Sequence, residues 1–185
     1  MKRTLAPILL LTLLFPSLAY ALEMKDLVER DGLYYEKFTD VPFTGKTAGW
    51  DQRTFRNGVQ HGPRIAYHGP GQLYAKGNYK DGKRDGPWIF YWMNGQLRMK
   101  GTFKDGKKDG PWVSHYDNGQ LRDKENYKDG KANGSYVFYW KNGQLREKGT
   151  FKDGKMEGPS VFYNEDRTLN SALTGTYKNG LKVSD

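Results

Sequence analysis

Three residue types that form hydrolytic triads lie close together at Ser114, His115 and Asp117. The surrounding residues alternate as they do in a β-strand, where neighbouring side chains point to opposite faces of the sheet. Ser114 and His115 would then point apart, so a nucleophile and its base are not expected to meet. We interpret both residues as variants of the aromatic strand positions Phe90 and Tyr91, and we predict that the protein is not an enzyme.

The composition argues against other kinds of catalytic and metal-binding sites. The 185 residues include no Cys, so neither a disulfide nor a thiolate zinc site is available. The histidines His61, His68 and His115 are scattered, and no glycine-rich phosphate loop precedes a helix. Paired carboxylates would have to come from Asp residues that recur in predicted turns, whereas an active site needs one pair. Neither a metal nor a cofactor is expected.

One unit recurs along the chain and determines the fold. Tyr79, Phe103, Tyr127 and Phe151 each begin a Lys-Asp-Gly copy of this unit, 24 residues after the previous copy. Weaker copies begin at Phe55 and, after two extra residues near Asn170-Ser171, at Tyr177. An even insertion keeps each later side chain on the same face. We therefore predict a repeat array over residues 53–185, preceded by an N-terminal segment at residues 22–52.

Asp-Gly and Asn-Gly separate short runs rich in Tyr, Phe, Trp, Val and Ile, which is the strongest local signal for β-hairpins. We interpret Asp81, Asp105, Asn94 and Asn118 as turn residues with positive φ. The predicted fold class is all-β, an elongated, twisted, single-layer antiparallel meander of about ten to thirteen strands built from 24-residue repeats. Only residues 22–33 show a weak helical pattern.

Two-residue turns would pair Trp92 with Leu97, Phe90 with Met99, and Trp88 with Gly101, placing glycine beneath an indole. The next turn would pair Gly101 with Gly110 and Met99 with Trp112, so that the rows shift by two residues per repeat. One face would carry the aromatic residues and the other Ile89, Val113 and a set of cations. No other element is long enough to cover the aromatic face, which must close by curvature, pack on a second copy, or receive a partner.

Two candidate binding sets follow from these faces. The aromatic set is a partner-binding candidate, with core packing as the alternative: Trp88, Trp92, Trp112, Tyr116, Tyr136 and Trp140. The basic ladder is an anion-binding candidate, with solvated charges resting on aliphatic neighbours as the alternative: Arg98, Lys100, Arg122, Lys124, Arg146 and Lys148.

The N-terminus has the pattern of a secretory signal peptide. Lys2 and Arg3 precede an apolar run from Leu5 to Leu18, and Ala19-Tyr20-Ala21 has small residues at a cleavage site. We predict cleavage after Ala21 and a periplasmic or secreted protein, with an uncleaved anchor as the alternative. The mature chain would have 28 Lys+Arg against 21 Asp+Glu, a formal charge of +7. Export argues against nucleic acid and leaves anionic lipid, envelope polymers or another protein as targets.

The unit resembles the MORN repeat, and more closely the bacterial MORN repeat variant of the YwqK-like, antitoxin-type group. The resemblance covers about residues 53–180 and rests on one set of positions and their equivalents 24 residues later: Gly86, Trp88, Tyr91, Asn94, Gly95, Gln96, Leu97, Gly101, Phe103 and Gly106. Residues 31–45 look like a divergent first hairpin. The terminal copies depart from the unit, since Arg64 and Ser160 replace the Trp88 type and Asp166-Arg167 replaces Asn-Gly.

The resemblance implies a non-enzymatic binding or scaffold protein. Its partner would be another protein, such as a toxin that it neutralises. Peripheral binding to anionic membrane lipids or envelope polymers is the alternative, and self-association through the aromatic face is a third. The sequence does not indicate an oligomeric state.

Overall fold

The computed structural model describes residues 21–185, in which one turn of 3₁₀ helix at Met24–Asp26 precedes a succession of β-strands. The strands are β1 Leu27–Arg30, β2 Leu33–Glu36, β3 Gly45–Lys46, β4 Asp51–Arg56, β5 Val59–Gly69, β6 Gln72–Lys80, β7 Lys83–Tyr91, β8 Leu97–Lys104, β9 Lys107–His115, β10 Leu121–Lys128, β11 Lys131–Ala132, β12 Gly134–Tyr139, β13 Leu145–Lys152, β14 Lys155–Met156, β15 Gly158–Phe162, β16 Gly175–Lys178 and β17 Leu181–Ser184.

The strands form an antiparallel meander, which confirms the predicted fold class. β1 and β2 form a separate hairpin, and the other strands form one 15-stranded sheet in chain order from β3 to β17. Residues 21–185 contain 17 strands, more than predicted, because β1 and β2 form an additional hairpin and because interruptions at Asn133 and Glu157 separate the two-residue strands β11 and β14 from β12 and β15. These short strands pair with β10 and β13, which the longer strands also contact.

The Asp-Gly turns have the predicted conformation. Asp81 and Gly82 have φ values of 49° and 78°, and Asp105 and Gly106 have φ values of 50° and 82°. Positive φ at both central residues defines the type I′ turn, whose twist matches that of the flanking strands. These turns therefore connect consecutive repeats as tight hairpins.

The Asn-Gly turns differ from the prediction. Gly95 has a φ of 81°, but Asn94 does not have a positive φ. The Trp92 amide donates to the Gln96 carbonyl at 2.8 Å, so the loop contains three residues and Trp92 does not oppose Leu97. A type I turn followed by a left-handed glycine is a common alternative for hairpins.

The Asn side chains explain why this alternative forms. Asn94 Oδ1 accepts a hydrogen bond from the Gln96 amide at 3.1 Å, and its Nδ2 donates to the Asp117 carbonyl in the next repeat at 2.6 Å. Asn118 makes the equivalent bonds to Gln120 and Lys141. Each Asn therefore closes its own turn and also links it to the next repeat.

A bulge at Arg98 restores part of the predicted register. Tyr91 pairs with Leu97 and Phe90 pairs with Met99, so Arg98 is an extra residue on β8. The three-residue turn and the one-residue bulge compensate for each other. The predicted pairs Phe90–Met99 and Trp88–Gly101 are therefore confirmed.

A second bulge removes the predicted shift between repeats. Thr102 pairs with Asp109, as predicted near the turn, but Lys100 pairs with Val113. Gly110, with a φ of 72°, begins the extra residues on β9. Met99 therefore pairs with Ser114 instead of Trp112. Because the two extra residues cancel the expected offset, equivalent residues of successive repeats lie in straight rows across the sheet.

The N-terminal segment forms strands, although its sequence has a weak helical pattern. Within residues 22–33 only Met24–Asp26 is helical, and β1 begins at Leu27. Phe55, which is 2% exposed, lies under Tyr34 and Phe43, with ring centroids 5.0 and 5.7 Å from its own. This segment therefore covers the first aromatic residue of the array.

The two-residue insertion near Asn170 leaves the faces unchanged, as predicted. Gly158 pairs with Tyr177 after the insertion. Tyr177 is 8% exposed, and its ring centroid lies 6.1 Å from that of Phe162. The last repeat therefore continues the aromatic face.

The core lies on one face of the sheet. Trp88 and Trp112 are 0% and 1% exposed, and Phe103 lies between them with ring centroids 6.0 and 4.9 Å away. Arg84 and Lys108 extend over this face, placing their charged groups 4.8 Å from the Trp88 ring and 4.5 Å from the Trp112 ring. Edge-to-face rings covered by the stems of cationic side chains bury an aromatic stripe without a second layer.

The indoles of Trp88 and Trp112 lie over a glycine of the preceding strand, so the glycine beneath Trp88 is Gly77 and not its paired residue Gly101. A Cβ atom on Gly77 would lie 2.3 Å from Trp88 Cδ2, and one on Gly101 would lie 2.2 Å from Trp112 Cδ2. Trp88 Nε1 and Trp112 Nε1 donate to carbonyls on those same preceding strands, at 3.0 and 3.1 Å. Any side chain at these glycines would displace the indole.

Candidate binding face

Three residues of the candidate aromatic set lie in the core, and the other three form hydrogen bonds between neighbouring repeats. Trp88, Trp112 and Tyr136 are 0%, 1% and 3% exposed, so they contribute almost no surface to a partner. The other three side chains are half-buried and donate to the next repeat: Trp92 to the His115 carbonyl at 3.0 Å, Tyr116 to the Tyr139 carbonyl at 2.8 Å, and Trp140 to the Tyr163 carbonyl at 3.2 Å. The aromatic face is therefore covered by side chains of the same chain.

The basic ladder is also divided, because the bulge turns its arginines towards the aromatic face. The Arg98 guanidinium lies 4.7 Å from the Trp92 ring centroid. Arg122 Nε donates to Asp123 at 2.6 Å, and Arg146 Nη2 donates to Glu147 at 2.6 Å. The prediction that these arginines share a face with Lys100 is wrong, since a bulge brings two consecutive residues to the same side of a strand.

Asp123 is a buried carboxylate that sequence reasoning missed. It is 3% exposed and pairs with Ser114 and Phe138, so it occupies the aromatic face at the position of Met99 one repeat earlier. Its hydrogen bond from Arg122 compensates part of the cost of burying the charge. The adjacent Arg-Asp pair was visible in the sequence, but only the bulge shows that both side chains lie on one side.

The opposite face carries a straight row in which lysine and aliphatic residues alternate. We call it the lysine–aliphatic row. In strand order its directly paired members are Ile65, Lys76, Ile89, Lys100, Val113, Lys124, Val137, Lys148 and Val161. The four lysines are exposed and the aliphatic residues are half-buried. The prediction that Ile89, Val113 and Lys100 share this face is confirmed.

Open depressions follow this row. One has a volume of about 590 Å³, and its lining includes Val113, Lys124, Val137, Lys148 and Val161. A second depression, of about 310 Å³, includes Ile65, Lys76 and Ile89. The lining of the first also includes Pro111, Asn126 and Thr150, and that of the second includes Asn78 and Pro87. The row is therefore a recessed surface with apolar contacts and regularly placed ammonium groups.

Four lysines give the row its positive charge. Across residues 21–185, Lys76, Lys100, Lys124 and Lys148 form no ion pair with a carboxylate. Burial and the charge of Lys100 lower the pKa of His115 below its usual value; Lys124 acts in the same direction and Asp123 against it. The contributions of Lys100 and Lys124 to this shift reflect the positive potential of the row at His115.

The residues of the candidate triad do not meet. Ser114 is 6% exposed and pairs with Met99 on the aromatic face, whereas His115 pairs with Leu121. Asp117 lies in the turn beyond and forms an ion pair with Lys141 at 2.6 Å. The described residues also contain no group of three His, Cys, Asp or Glu side chains that could hold a metal ion.

Two further observations concern the predicted signal peptide and the possibility of a membrane-spanning helix. Most of the predicted signal peptide lies outside the described residues. In the described part of the chain, no helix has the length and apolar character needed to cross a bilayer.

The comparisons with known proteins address the repeats. The profile of the MORN repeat variant matches residues 84–105, 108–129 and 132–153. No curated protein matches the chain. A chain in the crystal structure of the GtfA/B complex bound to UDP and GlcNAc is 18% identical, and the match covers 72% of this chain and 24% of that one with a TM-score of 0.22. This chain therefore spans about a quarter of that relative, and so low a TM-score carries no argument.

Three consecutive repeats in register, each with the turns and strand pairs described above, account for the centre of the sheet. Residues 84–153 thus contain three consecutive repeats of the MORN repeat variant family.

Proposed function

We propose that the protein is a non-enzymatic binding protein of the cell envelope that holds a partner protein on the face of the lysine–aliphatic row. One observation carries the proposal: the aromatic face is filled by the chain itself, whereas this face leaves apolar side chains and unpaired lysines at the surface. Exposed apolar surface with polar edges is a feature of interaction sites.

The test is an affinity capture from envelope extract with three forms of the full chain. The wild type is compared with the double variant Lys100→Gln/Lys124→Gln and with the control Lys104→Gln/Lys128→Gln, which removes the same charge from the same two strands. The control lysines are exposed and lie four residues away, about 13 Å along each strand. We expect one stoichiometric partner with the wild type and the control, and its loss with the row variant. Equal recovery by all three forms would refute the assignment of the face.

A narrower form of the proposal is an antitoxin or immunity-type role, supported by the resemblance to the YwqK-like group. It predicts that the captured partner inhibits growth when expressed alone and not when expressed with this protein. A partner that is harmless alone would remove this role and leave binding as the function.

Export is the second part of the proposal. It rests on the pattern of residues 1–21, and it predicts a mature chain in the envelope fraction that begins at Leu22. Detection of the unprocessed chain in the cytoplasm alone would contradict it.

Peripheral binding to anionic membrane is the second candidate function, favoured by the four unpaired lysines. It predicts co-sedimentation with anionic vesicles at low ionic strength that is lost as salt is added, since screening weakens such contacts. Absence of the protein from the pellet at low salt would exclude it.

A further inference from the structure

The spacing of the lysines along the row restricts what can bind there. Each repeat contributes two strands, which lie about 4.8 Å apart, so successive lysines are about 9.6 Å apart. The pairing through Val113 and Val137 is direct on both sides, which keeps Lys100, Lys124 and Lys148 on one line. From Lys76 to Lys148 the line is about 29 Å long.

A single extended polymer fits this arrangement better than a plane of charges. The ammonium groups form one line along recessed depressions, with proline positions on one side and the Tyr91–Leu97 type of pair on the other. A bilayer surface is flat, whereas the apolar contacts of this row lie in depressions between its lysines, where the residues of a single chain can enter. Because the floor is aliphatic, the ligand also needs apolar groups between its anions.

The conformation of the polymer follows from the same spacing. In polyproline II, three residues advance about 9.3 Å, so an acidic residue at every third position stays within about 1 Å of four successive lysines. Positions i and i+7 of an α-helix advance about 10.5 Å and fall out of step by about 3 Å over the same span. Same-side residues of a β-strand, about 6.8 Å apart, do not match.

We propose that the lysine–aliphatic row binds an acidic polypeptide segment in the polyproline II conformation, with a carboxylate at every third residue and apolar residues, proline above all, between them. This inference rests on the proposed function and specifies the partner of the same face. Each carboxylate would reach one of Lys76, Lys100, Lys124 and Lys148. The intervening residues would contact Ile89 and its equivalents.

The test is fluorescence anisotropy of the full chain with a labelled peptide of four Glu-Pro-Pro units. An isomer with its four glutamates contiguous is the ligand control. We expect the periodic peptide to bind, and to bind about fivefold to tenfold more tightly than the isomer. The variant Lys100→Gln/Lys124→Gln should lose a similar factor, whereas Lys104→Gln/Lys128→Gln should change affinity less than twofold, since exposed ion pairs act locally.

Three outcomes would overturn the inference. These are equal affinity for the two peptides, equal loss in the two double variants, and anionic vesicles that bind the row and exclude the peptide. If the peptide fails while the row variant still abolishes capture of the envelope partner, the segment chemistry is wrong and the binding face stands. If the row variant also leaves that capture unchanged, the proposed function itself fails.

Discussion

At the scale of single residues, small side chains determine where large ones can pack. Trp112 covers Gly101, and Trp88 covers Gly77, so a glycine on one strand creates the space for an indole on the next. Where Glu125 replaces this glycine, the equivalent of the indole is Tyr136. The sequence shows that Gly and Trp recur together, but it does not show which strand the indole leans towards.

Gly101→Ala tests this packing directly. The added Cβ would lie 2.2 Å from Trp112 Cδ2, so the indole must move, and overpacking of this kind costs about 1–3 kcal/mol. We expect the free energy of unfolding in urea to fall by about 3 kcal/mol. Gly69→Ala is the matched control, because its Cβ would meet nothing within 4 Å. Equal effects of the two substitutions would contradict the packing described.

His115 makes stability depend on pH. Burial and Lys100 hold its pKa in the folded chain below its value of about 6.5 in the unfolded chain, so the unfolded state binds the proton more readily. The contribution is complete above pH 6.5 and is lost as the pH falls through the folded pKa. Relative to His115→Gln, the wild type should therefore lose urea resistance between pH 8 and pH 5. A constant difference across that range would be inconsistent with this environment.

At the scale of elements, the sequence predicts the positions of the hairpins, but it does not predict the type of every turn or the positions of the bulges. Asp105-Gly106 adopts the expected turn because both residues tolerate positive φ. The Asn94 turn departs from expectation because the Asn side chain bonds to the backbone in this repeat and the next, which favours a type I turn. The bulges at Arg98 and Gly110 determine which cations share a face. The Gly-Pro pair at residues 110–111 is the one sequence feature that indicates a bulge.

Arg167 shows what happens when the turn glycine is missing. It has a φ of 71°, although Gly95, Gly119 and Gly143 occupy the same position in the other repeats. A left-handed conformation costs an L-residue roughly 1–2 kcal/mol. Arg167→Gly should therefore raise the free energy of unfolding by about 1 kcal/mol, measured by urea denaturation. Arg167→Ala, which keeps the strain, should give no gain; a gain of the same size would show that side-chain contacts, not φ, are responsible.

At the scale of the whole molecule, the 24-residue period and the two bulges produce rows without an offset between repeats. The predicted shift of two residues per repeat was wrong because extra residues after Gly110 cancel it. Straight rows are what place Lys100 and Lys124 on one line with Val113 between them. The sequence predicts the 24-residue spacing of these lysines, but only the register shows that they lie on one straight line.

Deleting one repeat tests the period. Removal of the 24 residues Gly101–Lys124 joins equivalent positions and should leave a chain that unfolds cooperatively, with lower stability because one repeat interface is lost. Removal of the 23 residues Gly101–Asp123 shifts every later side chain to the other face. That second chain should lose its cooperative transition in circular dichroism. Similar transitions for the two chains would contradict a face-specific register.

The most direct test of the central claim, that the lysine–aliphatic row is the binding face, is site-specific photocross-linking in envelope extract. A photoreactive phenylalanine analogue replaces Val113, at the centre of the row, or Met93, which is 71% exposed on an Asn-Gly turn at the edge of the sheet. We predict a discrete cross-linked partner from position 113 and none from position 93. A partner cross-linked from position 93 and not from position 113 would show that binding occurs elsewhere.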